Sequence, residues 1–195
     1  MTVERSPERD AAVTAALPHV PSLGWTAAAL EAGLRDLGED PMAHRWLFPR
    51  GPVGAIEAWF DLRDRQMEEA ARGEALETLR IPDRIRALVR LRLAASAPHR
   101  EALRRALATL SAPWNAPMAA RALGRTADAM WAAAGDRSSD FSWYTRRASL
   151  AAIYAATLGF WLRGPVADDG AALDFLDRRL AGLARLQGAR RRSAA

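Results

Sequence analysis

The sequence predicts an all-α fold, a helical bundle of about nine helices. Two observations carry this. Proline and glycine divide the chain into helix-sized pieces. Within the pieces, apolar residues recur at helical spacing, and no alternating strand pattern runs longer than a few residues.

A first helix is expected from about Pro7 to Ala16, followed by a loop, PHVPSLGW, over 18–25. Thr26 caps a second helix with Leu30, Leu34 and Leu37 on its apolar face, and Gly38 ends it. Asp40-Pro41 opens a short third helix carrying Met42, Trp46 and Leu47, which Pro49 stops. Gly51-Pro52 starts a fourth, with Ile56, Trp59, Phe60 and Met67 at helical spacing. Pro82 sits in the first turn of a fifth, where Ile85, Leu88, Val89 and Arg92 mark alternate sides and Arg84, Arg86 and Arg90 face out. Pro98 begins a sixth, with a stripe of Leu103, Ala106, Leu107 and Leu110. Asn115 and Pro117 start a seventh, with Leu123, Ala127, Met130, Trp131 and Ala134 inward, ending at Gly135. Asp140 caps an eighth helix that reaches about Arg163, where Gly164-Pro165 stops it. The ninth runs from about Asp168 to Leu186, with Leu173, Leu176, Leu180 and Leu183 on one face.

The eighth helix carries two apolar stripes. One is Tyr144, Ala148, Ala151, Ala155, Leu158 and Leu162; the other is Trp143, Leu150, Tyr154, Thr157 and Trp161, interrupted by Arg147. A helix apolar on most sides is buried on most sides. One stripe is expected to face the core and the other a ligand cavity, a second subunit or a different protein.

Composition narrows the function. The chain has 195 residues, 50% hydrophobic, enough for one full-sized core. Cysteine is absent, which excludes disulfides, thiol nucleophiles and cysteine-ligated metals. His19, His44 and His99 lie far apart, with no carboxylate at ligand spacing, so no metal site is expected. Glu68-Glu69 and Asp168-Asp169 are adjacent and point apart on a helix. No glycine-rich phosphate loop or nucleophile elbow occurs, so no catalytic residue is assigned and a non-enzyme is expected. No cofactor is expected. All 28 basic residues are arginine, but the net charge is only +5 and acids interleave with them, so nucleic acid is not expected as a partner. The clear basic patch is RLQGARRR, 185–192, which reads as a solvated end or, functionally, as a contact for an anionic membrane surface or an acidic partner. No run reaches 18 apolar residues, and the first residues mix Glu and Asp with Arg.

Two resemblances refine this. Residues 8–70 give helix, helix, short helix, then LFPRG and a long helix. This resembles the N-terminal helix-turn-helix module of TetR-type repressors, and a ligand-responsive transcriptional regulator is the alternative function. The reading chemistry is poor. The short third helix offers only His44 and Arg45 for bases and Arg50 for phosphate, while Glu39 and Asp40 crowd its start. The module therefore reads as degenerate.

The run AMWAAAGDRSSDFSWYTRRASLAAIYAAT, 129–157, resembles the signature of the ubiquinone (coenzyme Q) biosynthesis accessory lipid-binding family, the ninth Coq protein. Trp131, Ala134, Gly135, Asp136, Ser138, Asp140, Phe141, Trp143, Tyr144, Thr145, Arg146, Arg147, Leu150, Ile153 and Tyr154 match that family's run. PHVPSLGWTAAAL at 18–30 matches its N-terminal segment, and PWNAP and LDFLDRRL match the flanks more loosely.

The resemblance implies a TetR-like fold with an N-terminal module over 1–70, a C-terminal lipid-binding and dimerisation bundle over 71–187, and a basic disordered tail over 188–195. It implies a bound isoprenoid quinone or phospholipid, and Met118, Leu123, Met130, Leu150, Tyr154 and Trp161 are the candidates to line its cavity. It implies that a polyprenyl quinone intermediate is presented to the di-iron demethoxyubiquinone hydroxylase through a patch of Asp140, Trp143, Tyr144 and Arg147. Arg146 and Arg147 would pair with a partner's acids or brace the helix internally. A homodimer and weak contact with a membrane surface are also expected. The location expected is the bacterial cytoplasm, peripheral to the inner membrane.

Overall fold

The structure, a computed structural model, describes residues 3–136, 142–164 and 169–193. Every regular element among them is helical. The α-helices are α1 (Pro7–Ala16), α2 (Val20–Leu23), α3 (Ala27–Asp36), α4 (His44–Leu47), α5 (Gly51–Arg72), α6 (Ile81–Ser96), α7 (Arg100–Leu110), α8 (Ala116–Ala133), α9 (Ser142–Arg163) and α10 (Asp169–Ser193). None is long and apolar enough to cross a membrane, among the described residues.

Local chemistry explains several boundaries. The Ser6 hydroxyl accepts from the Arg9 amide at 3.2 Å, and Thr26 accepts from the Ala29 amide at 3.3 Å. Asp40 accepts from the Met42 amide at 2.9 Å and starts a 3₁₀ turn, Pro41–Ala43, that leads into α4. Gly38 and Gly135 adopt φ of +73° and +82° where the chain leaves a helix, a conformation open to glycine at no steric cost.

Two expectations on extent are corrected. The 18–25 stretch is not all loop: Pro21 sits in the first turn of α2, where a missing amide costs nothing, and Gly24 ends that single turn. The last helix does not stop near Leu186. It continues to Ser193, because Gly188 alone costs about 1 kcal/mol and the arginines that follow are good helix formers, favoured at a helix C-terminus.

The chain forms two compact units, each drawn from separated stretches: Met1–Gln66 with Ser96–Arg125, and Met67–Ala95 with Thr126–Ala195. In the first, α1 lies against α3 so closely that a Cβ on Gly33 would stand 2.5 Å from the Ala16 amide nitrogen. Trp25 packs on Trp59 with ring centroids 5.4 Å apart, and its indole N–H donates to the Ala102 carbonyl at 2.9 Å. Val13, Leu17, Leu30, Leu34, Phe48 and Ile56 are buried around this pair.

The first unit also buries three carboxylates of α5, Glu57, Asp61 and Asp64, spaced to share one helix face. Asp61 accepts a two-pronged contact from Arg5, 2.9 and 2.8 Å, and a third bond from Arg65 at 3.1 Å. Glu57 pairs with Arg125 at 3.0 Å and with Arg50. In the second unit α9 packs on α10, with Phe160 stacked on Phe175 at 4.8 Å and Arg179 over the Phe175 ring.

Candidate functional site

The site expected from the sequence lies where α8 ends and α9 begins. Met130 and Ala134 bury the last turns of α8, and Gly135 turns the chain out with its left-handed φ. Arg84 of α6 holds this corner. Its guanidinium donates to three backbone carbonyls: Ala134 at 2.9 Å, Leu79 at 2.8 Å and Glu77 at 2.8 Å. Outward-facing Arg84 is thus a corrected expectation for α6. Three carbonyls without helical partners attract it inward. Arg86 meets Asp177 at 2.9 Å and Arg90 meets Glu74, both at the surface.

Asp136 follows Gly135 with only 6% of its side chain exposed. It accepts from Arg146 and from Arg147, each at 3.3 Å, and the Arg147 Nε donates to Asp128 at 2.5 Å. Two carboxylates at the end of α8 therefore bracket the first turns of α9. Arg147 is 13% exposed and occupied inside its unit, while Arg146 is 40% exposed. Of the two roles left open for these arginines, internal bracing is the one seen.

Tyr144 is 68% exposed. Asp140 and the Trp143 side chain lie outside the described residues. Of the residues expected to line a lipid cavity, Met130, Leu150, Tyr154 and Trp161 are buried in the second unit. Met118, buried, and Leu123, half-buried, belong to the first. Trp161 is oriented by its indole N–H, which donates to Asp169 at 2.6 Å. Between exposed Thr145 and exposed Arg163, the open side of α9 carries Ala148, Ala152, Ala155 and Ala156, so that stretch is apolar but shallow.

The module expected to read bases is different from its expectation. His44 is 8% exposed, and its ring turns back to the Pro41 carbonyl at 2.9 Å. Arg50 pairs with Glu57, and burial together with neighbouring Arg121, Arg125 and Arg9 lowers its pKa. Only Arg45 remains exposed as a cation on α4, between exposed Met42 and Trp46.

Sequence reasoning missed the roles of Arg84, Asp128 and Asp136. The signal available was the Gly-Asp step, a helix stop followed by an acid before a double arginine. Among the described residues, no cluster of His, Asp or Glu could hold a metal ion.

The COQ9 family model matches residues 116–187. The chain is 38% identical over 152 residues to the human "Ubiquinone biosynthesis protein COQ9, mitochondrial", covering 74% of this chain and 48% of that protein. It is 30% identical over 165 residues to the Schizosaccharomyces pombe protein, covering 85% and 65%. The chain thus spans about half to two thirds of the length of the curated relatives it matches. Among solved structures, a TetR transcriptional regulator from Nitrosomonas europaea ATCC 19718 superposes with a TM-score of 0.71 at 25% identity, covering 92% of this chain and 99% of that one.

The expected location is overturned. The matched relatives are named as mitochondrial proteins, which conflicts with a bacterial cytoplasm. That expectation rested on the composition of the first residues, which carries no weight for a chain spanning only part of its relatives. The fold is all-α and TetR-like, and through the domain at 116–187 the chain belongs to the COQ9 family.

Proposed function

We propose that the chain is a non-catalytic accessory protein of ubiquinone biosynthesis that holds an isoprenoid quinone intermediate and presents it to the demethoxyubiquinone hydroxylase. The observation that carries this reading is the bracketed corner of its family domain. Asp128 and Asp136 hold Arg147, and with it the first turns of α9 that carry Tyr144. Tyr144, exposed on that turn, suits a docking anchor, and Trp143 and Asp140 adjoin it in sequence. Buried Met130, Leu150, Tyr154 and Trp161 offer apolar contact to a polyprenyl chain, each methylene of which gains about 0.8 kcal/mol on leaving water.

The test is the quinone profile, by mass spectrometry, of a strain lacking the gene. Depleted ubiquinone with a demethoxy intermediate is expected, restored by the wild-type gene but not by Trp143→Lys. A normal profile would overturn the reading. The regulator alternative has little chemistry to support it, since His44 is turned inward and Arg50 is paired.

A further inference from the structure

The first unit carries an open groove of about 460 Å³ between α1, α3 and the Pro41–Leu47 turn. Leu34, Leu37, Ala43 and Trp46 give it apolar walls. Trp46 is 61% exposed and Leu37 and Met42 are also exposed, so this is a large apolar surface for a water-facing turn. Its rim is acidic. Glu8, Glu39 and Asp40 line it, with no arginine among the lining residues.

In a chain with 28 arginines that rim is unusual. Elsewhere Asp61, Glu57 and Asp136 each hold arginines. Among the described residues the rim carboxylates hold none: Glu8 bonds the Ser6 side chain, and Asp40 caps the turn through the Met42 amide. The charge excludes a phosphate backbone, which would be repelled where a TetR-like module would meet it. It also disfavours an anionic membrane.

From the apolar trough and its unpaired acidic rim we infer that the groove docks a basic amphipathic helix of a partner protein. Apolar residues at i, i+3 and i+4 would fill the trough against Trp46, and flanking Arg or Lys would face Glu8, Glu39 and Asp40. A groove walled by helices suits a helical ligand, whose side-chain ridges enter it. This surface lies in the first unit, outside the 116–187 domain, so the inference does not depend on the proposed function.

A phage library of helical peptides with randomised charged and apolar positions, panned on the full chain, tests it. Enriched peptides should carry Arg or Lys beside apolar residues at helical spacing. Trp46→Ala should weaken a synthetic copy of the best peptide at least tenfold by fluorescence anisotropy, with an unchanged melting temperature. Glu8→Arg with Glu39→Arg, both surface changes, should abolish the preference for basic peptides. No enrichment, enrichment without charge bias, or equal binding by both variants would overturn the inference. So would Trp46-dependent binding of duplex DNA or of zwitterionic lipid vesicles in place of peptide.

Discussion

Replacing Asp136 by Asn tests the bracket that orients α9. The carboxylate is almost fully buried and accepts from two guanidinium groups at 3.3 Å. Breaking a buried pair costs about 3–5 kcal/mol, and an exposed pair about 0–1. The Arg147 contact belongs near the first class and the Arg146 contact, 40% exposed, near the second. Three features lower the sum. Both bonds are longer than the about 2.7–2.9 Å of strong charge-assisted bonds. Arg147 keeps Asp128. Asn keeps one carbonyl acceptor. The net loss should be about 2 kcal/mol, which for a chain of this size lowers Tm by roughly 4–8 °C. Circular dichroism melting and urea titration measure it, and the urea midpoint should fall with the slope unchanged. Arg147→Met in the Asp136→Asn background should cost less than it does alone, the difference being about 1 kcal/mol. A Tm within about 1 °C of wild type, or full additivity, would refute the bracket.

Two further outcomes follow from the first unit. Gly33→Ala gains about 1 kcal/mol of helix propensity but drives a Cβ against α1 backbone at 2.5–2.8 Å, so α1 and α3 must separate. The variant should be destabilised by about 1–2 kcal/mol, whereas Gly124→Ala, with open space around its Cβ, should be stabilised by about 0.5–1. Burial raises the pKa of Asp61, but the hydrogen bonds and charges of Arg5 and Arg65 outweigh it and hold the carboxyl below its usual value. Its stabilisation is therefore present above the unfolded carboxylate pKa, about 3.9, and is lost as pH falls through the lower folded value. Urea midpoints measured from pH 5 to pH 2.5 should fall more steeply for wild type than for Asp61→Asn. Parallel curves would show that Asp61 contributes nothing to acid sensitivity.

What the sequence determined by itself is what acts within a few residues. Ser6, Thr26 and Asp40 reach their own helices' first amides, and Gly38 and Gly135 accept the left-handed turn at helix ends. Helical spacing likewise marks Leu34, Ile56, Leu88, Met130 and Leu176 as buried. The signature run could be read from residue order, because 129–157 is continuous. Partners decided by packing were not readable. Arg84 meets Ala134 across 50 positions, and Arg5 meets Asp61 across 56. Nothing local tells an arginine facing water from one facing carbonyls, since both leave the helix at the same spacing. His44 looked like a base reader by position, and only the approach of the Pro41 carbonyl turned it inward. The acidic groove has the same origin. Glu8 and Glu39 are ordinary surface residues in sequence, and α1 packing on α3 is what sets them around Trp46.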